Sequence, residues 1–280
     1  MISRKTQHQK EAVVRIAPAR GFSLNVGEVF AYRELIYTLT WRDITVRYKQ
    51  TVLGATWALL QPLMTMTLFT IIFGRVARLP TEGVPYPIFA LAALVPWQLF
   101  AHAMTDSSNS LLVNERLVTK TYFPRMILPL SSILSGLVDL AISFIMLLAL
   151  MAWYGIAPTF AILTLPAFLL MAIVAALGVG LWLSALNVQF RDVRYTIGFL
   201  TQLWMFASPI AYPSSLVPDR FRLIYSLNPM VGVAEGFRWA LFGVGSSLAV
   251  LLISLTGSFI VFLSGWIYFR RVESSFADVI

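Results

Sequence analysis

The sequence predicts an all-α membrane protein: six transmembrane helices, an N-terminal amphipathic interface helix, and a re-entrant helical hairpin before the last span. Three observations predict it. Of 280 residues, 58% are hydrophobic and only 12% charged, about half the charged fraction of a soluble domain. The mean hydropathy is +0.77. Apolar runs approaching or exceeding the roughly 20 residues that cross a bilayer recur at 52–74, 86–105, 127–153, 158–186, 196–212 and 247–269.

Residues 1–27 form an N-terminal extension without an apolar core, so no cleavable signal peptide is expected. Residues 28–51 place Val29, Tyr32, Ile36 and Leu39 on one helical stripe, with Arg33, Glu34, Arg42 and Asp43 elsewhere. That pattern suits a helix lying in the headgroup plane. The six-span domain occupies 52–270, with a loop at 111–126 and a tail at 271–280. Its fifth run is short and polar at its end. Residues 213–245 are too interrupted by Pro, Gly, Asn and charge for a clean span and too apolar for a free loop. A hairpin covered by the protein itself satisfies that backbone.

The lysines and arginines set the orientation. Sixteen of the 21 fall before span one, between spans two and three, between spans four and five, and in the tail. The other side holds Arg75, Arg78, Arg220, Arg222 and Arg238. The excess places both termini in the cytoplasm, as an even number of spans also requires. In a membrane chain the net charge of +8 reports topology and contact with anionic lipid rather than nucleic acid.

Several chemistries are excluded. With no cysteine, neither disulfides nor thiolate metal sites are available. No G-x-x-x-x-G-K-[ST] run exists to cradle nucleotide phosphates, and no acidic pair or His cluster in the spans has metal-ligand spacing. His102 and Asp106 sit near the cytoplasmic end of span two, and Asp139 is the one deep charge in a span. Two readings of Asp139 stand: a carboxyl bonded to a neighbouring helix through Ser135 or Ser143, or the site of an ion-coupled flippase.

Three further stretches stand out. RDITVRY at 42–48 and RDVRY at 191–195 each precede an apolar run; arginine and tyrosine anchor helix ends at interfaces. The loop "LLVNERLVTKTYFPRMILPLS" offers Asn114, Glu115, Arg116, Lys120, Tyr122, Phe123 and Arg125 as a charged, aromatic-tipped surface. It reads either as an ordinary connection or as a surface that docks into a cleft of a soluble partner. In "AEGFRW", Glu235 and Arg238 are an i, i+3 step apart and are expected to pair, bracing the hairpin.

In order and spacing, "WRDITVRYKQTVLGATWALLQPL", "TKTYFPRMILPLS", "NVQFRDVRY", "LWMFASPIAYP" and "LNPMVGVAEGFRWALFG" resemble the permease subunit of type-2 ABC exporters of lipid-linked polysaccharide (O-antigen, capsule, teichoic acid). The resemblance runs from about residue 28 to 270 and implies a homodimer in the inner membrane with two copies of a separate ATPase. ATP and Mg would be held by that ATPase, with no cofactor on this chain. The loop residues Asn114 to Arg125 would couple to the ATPase, and Asn228, Glu235 and Arg238 would belong to a hairpin near the outer mouth. The substrate would be a glycan on a polyprenyl diphosphate or similar carrier. Arg42, Asp43, Arg47, Tyr48, Arg191, Asp192 and Arg194 would then meet the diphosphate at the cytoplasmic face, or anchor helices there. Trp57, Phe69, Phe73, Trp97, Trp204 and Phe206 would line the sugar path, or face lipid and core. An ABC exporter of a lipid or drug, and an ion-coupled flippase, are the rival functions.

Overall fold

The computed structural model describes residues 26–49, 54–190, 192–245 and 247–276, and among them every regular element is helical. Among the described residues, two helices precede the first span, α1 (Val26–Ala31) and α2 (Arg33–Lys49). Glu34 in the first turn of α2 and Arg47 and Lys49 in its last turn complement the helix dipole. The expected stripe packs as a face: Leu39 is buried, with Val29, Tyr32 and Ile36 against the same cluster.

Among the described residues, five helical stretches are long and apolar enough to cross a membrane: Thr56–Val76, Tyr86–Val113, Ile127–Trp153, Phe160–Gln189 and Leu248–Ser275. They contain α3 (Gly54–Phe69), α4 (Tyr86–His102), α5 (Ser108–Val113), α7 (Ile127–Trp153), α8 (Leu165–Gln189) and α12 (Leu248–Val272). A π-helical turn at Ala103–Ser107 joins α4 to α5, and α6 (Glu115–Lys120) lies in the loop that follows. Helix α4 is the axis. From Ile88 to Trp97 every residue is buried, as expected of a helix apolar on all sides. Around it stand α3, α7, α8 and α11 (Pro229–Phe242).

Helices α8 and α12 touch backbone to backbone. A Cβ on Gly265 would lie 2.2 Å from the Gly178 carbonyl oxygen, and one on Gly178 would lie 2.6 Å from the Phe262 backbone. Small residues allow this approach where lipid offers no hydrophobic drive for helix association.

The fifth apolar run departs from a simple span. It forms α9 (Val193–Phe206), 14 residues and so about 21 Å long, then continues through turns to Pro213. Pro209 explains the break: it lacks an N–H and disfavours helical geometry at Ser208. Next comes the hairpin of α10 (Asp219–Ser226) and α11. Its turn meets α12 well along that helix. Ser254 Oγ donates to the Ser226 carbonyl at 2.7 Å, and a Cβ on Gly257 would lie 2.4 Å from the Leu227 carbonyl oxygen. These contacts lie about 9–14 Å along α12 from Leu248.

The protein itself satisfies the broken backbone at 207–212. Asn228 Nδ2 donates to the Ala207 carbonyl at 3.1 Å and Ser208 Oγ at 2.9 Å, while its Oδ1 caps α11 through the Met230 N–H. Arg238 donates to the carbonyls of Ile210 at 2.9 Å and Phe89 at 3.2 Å. The Tyr86 hydroxyl donates to the Ala211 carbonyl at 2.6 Å. The expected Glu235–Arg238 pair is therefore replaced. The residue, 3% exposed, turns instead to the Ile210 carbonyl in the broken stretch and to the Phe89 carbonyl of α4, and its guanidinium carbon lies 3.6 Å from the Phe89 ring centroid.

Candidate functional site

The first arginine-rich phrase ends in a hub. Arg47, in the last turn of α2, donates through Nη1 to Asp139 on α7 at 2.5 Å and through Nη2 to Asp106 at 2.8 Å. Tyr48 donates its hydroxyl to the other oxygen of Asp139. Burial, then the bond to Asp139, raises the Tyr48 hydroxyl above the usual phenol range, keeping it a donor. His102 completes the group: Nδ1 lies 3.2 Å from Asp106, and Nε2 lies 3.0 Å from the Ser132 carbonyl and 3.2 Å from Arg47. Asp139 thus bonds neither Ser135 nor Ser143 as the sequence suggested. Ser143 donates to Gln98 and Ser135 to the Ser132 carbonyl. Planar Arg47 suits the task because its fork reaches two carboxylates at once. The result is a tether between α2 and the second and third spans.

One turn earlier, Arg42 donates to Asp43 at 2.8 Å and to Asn114 Oδ1 at 2.8 Å. Asn114 is the hinge between α5 and α6, and its own amide donates to the Ser110 carbonyl at 2.8 Å. Helix α2 is thus tied both to the bundle and to the loop.

Beside the hub opens a cleft of about 840 Å³ between α3, α4 and α9. Its walls carry the indoles of Trp57 and Trp97, the amides of Gln61 and Gln98, the hydroxyls of Thr65 and Thr201, and Arg47, Tyr48, Asp106 and Asp139 at one end. Of the six foreseen aromatics, Trp57 and Trp97 line it. Phe69 and Phe73 meet edge-on in the core, Trp204 meets Phe100 edge-on and donates to Asn228, and Phe206 is exposed. Gln61 and Gln98 were missed. A glutamine inside an apolar run carries an uncompensated amide, and that was the available signal.

The second phrase is not equivalent to the first. Arg191 lies outside the described residues. Asp192 and Arg194 are exposed at the start of α9, away from the cleft. In the loop, Glu115, Arg116, Lys120 and Tyr122 face outward with Val113, which is 78% exposed. Of the expected aromatic tip only Tyr122 is outward. Phe123 is buried among Leu111, Val118 and Ile127, because the bundle offers it an apolar seat. Arg125 turns inward and donates to the Glu273 carbonyl.

A helix tethered to a bundle with five stretches long and apolar enough to cross a membrane, a broken helix capped by a hairpin, and a polar-aromatic cleft suit a membrane permease. The sequence model of the ABC-2 type transporter matches residues 34–242. The chain belongs to that family: it is the membrane permease of an ABC-2 transporter, whose ATPase is a separate protein. It is 31% identical to an O-antigen export system permease protein RfbA of Myxococcus xanthus over 216 residues, 76% of this chain and 82% of the relative. A Klebsiella pneumoniae protein of the same name is 28% identical over 91% of this chain and 97% of its own length. The Escherichia coli polysialic acid transport protein KpsM is 25% identical over 69% of this chain and 76% of the relative.

Proposed function

We propose that two copies of this chain form the conduit of an ATP-driven exporter of lipid-linked polysaccharide in the cytoplasmic membrane. The cleft carries the reading. Indole rings beside amides and hydroxyls suit sugars, whose C–H faces rest on aromatic rings while their hydroxyls exchange hydrogen bonds with the amides. The similar O-antigen and polysialic acid transport proteins support the same substrate class.

In this reading α9 with 207–212 makes the sixth crossing and α10–α11 re-enter from the outside. Helix α2 lies in the headgroup plane, and both termini are cytoplasmic. A two-fold partner covers part of the first span, which leaves Met64, Leu68 and Ile71 exposed. Two ATPase copies, holding ATP and Mg²⁺, dock on the outward face of α6 and on Tyr122. Because Arg47 already holds two carboxylates and Arg42 is bonded to Asp43 and Asn114, the carrier diphosphate is met first by the exposed Arg194. Asp139, gripped by Arg47 and Tyr48, serves as a tether for α2 rather than as an ion carrier.

Substituting Trp57 tests the reading. It is 52% exposed, so Trp57→Ala leaves folding and ATPase binding intact. Export of the lipid-linked glycan is expected to fall about three- to tenfold, the effect of one lost aromatic contact. Export at the unmodified rate, or ATPase stimulation by an apolar drug in place of the glycan, would contradict it.

A further inference from the structure

The chain turns back on itself after α12. Beyond Val272 a single 3-10 turn, Glu273–Ser275, folds against the loop between the second and third spans. Glu273 Oε1 accepts the backbone N–H of Arg125 at 3.0 Å, and Oε2 accepts from Arg270 at 3.0 Å. The Glu273 carbonyl accepts from the Arg125 guanidinium. Its carboxylate thereby stands at the start of α7, where the helix dipole favours negative charge. Three residues on, Phe276 is fully buried and meets Phe269 edge-on, with ring centroids 5.2 Å apart.

A short segment just past a membrane span is ordinarily solvated unless packing ties it down. Here a charged anchor and an aromatic plug do so together. Phe276 belongs to one buried cluster with Leu39 of α2, Val118 of α6, Ile127 of α7 and Val188 of α8. Helix α6 therefore has two faces. Glu115, Arg116 and Lys120 point outward, while Val118 points inward onto the cluster that Phe276 completes.

We propose that Glu273–Phe276 is a clamp that backs the ATPase-docking loop, with Glu273 and Phe276 as its positioning residues. The proposal rests on the reading of α6 as the docking element. Pressed from outside, a clamped α6 passes its displacement to α7 and α12 through Arg125, Glu273 and the cluster. An unclamped loop bends instead, and ATP hydrolysis proceeds with little movement of the bundle.

Because the chain has no cysteine, a single introduced thiol reports cleanly. With a nitroxide at Lys120→Cys in the permease alone, Phe276→Ala is expected to sharpen the EPR line, and Phe276→Leu to restore its breadth. A label at Trp153→Cys, at the far end of α7, should not change. In the complex with its ATPase, Phe276→Ala should lower glycan-stimulated hydrolysis at least about fivefold, the lower bound of a useful coupling between sites, with the ATPase still bound. Glu273→Ala supplies an independent second variant with the same two expectations. An unchanged line at position 120 in both variants overturns the clamp, and so does unchanged stimulation. The docking reading has its own test: if Arg116→Glu together with Tyr122→Ala leaves ATPase binding intact, that reading fails, while the label at 120 still decides whether the tail holds the loop.

Discussion

Replacing Arg238 by alanine is expected to prevent the protein from accumulating in folded form. The guanidinium is 3% exposed and serves the carbonyls of Phe89 and Ile210, with that of Tyr212 at a longer 3.5 Å. The Phe89 carbonyl keeps its place in the α4 ladder, but each of the other two acceptors left without a partner away from water costs about 1–3 kcal/mol, and a desolvated cation over a ring contributes about 2 kcal/mol more. The sum is comparable to the entire stability of a typical domain, about 5–15 kcal/mol. Lysine should be nearly as damaging, because a single ammonium lacks the planar fork that reaches separate carbonyls. Monodispersity and thermal unfolding in detergent read the effect. A variant melting within a few degrees of the parent would show that the broken stretch at 207–212 does not depend on this residue.

Replacing Arg47 by alanine should leave the bundle folded and uncouple it. The change takes the arginine cation from Asp106 and Asp139, whose side chains are 44% and 24% exposed and which keep His102 and Tyr48 as neighbours. That exposure limits the loss of stability to about 1–3 kcal/mol, less than for a fully buried pair. The functional loss is larger, since α2 then keeps its apolar stripe and the Tyr48–Asp139 and Arg42–Asn114 bonds, with no charge pair left to the spans among the described residues. Glycan-stimulated ATP hydrolysis should collapse while the ATPase remains bound. Adding Asp139→Asn removes one of the two carboxylate charges and should recover thermal stability without recovering export. Recovery of both would reduce Arg47 to a mere counterion.

Much of this architecture was legible in the sequence, for local reasons. Apolar runs gave five of the spans, and helical spacing gave the packed face of Val29, Tyr32, Ile36 and Leu39. The break after Phe206 was visible as a weak fifth run, and Pro209 accounts for it. Long-range partners were not legible, because no periodicity records them. Arg47 and Asp139 are 92 positions apart, and nothing in either neighbourhood marks the other. Adjacency also misled: Glu235 and Arg238 are one turn apart, yet backbone carbonyls from other elements take the guanidinium. The paired arginine phrases are alike in wording only. One enters a half-buried network, while the described part of the other stays at the surface. The tail was read as plain cytoplasmic chain, since one glutamate and one phenylalanine carry no pattern; only the folded loop shows what they meet.

The central claim is that this chain is a passive conduit moved by a separate nucleotide-hydrolysing partner. The direct test is purified permease in sealed liposomes with lipid-linked glycan on one leaflet, with and without the ATPase and ATP. Glycan should accumulate across the bilayer against its gradient only when both are supplied, and an imposed proton gradient should have no effect. Uphill accumulation by the permease alone, driven by protons and abolished by Asp139→Asn, would contradict the account.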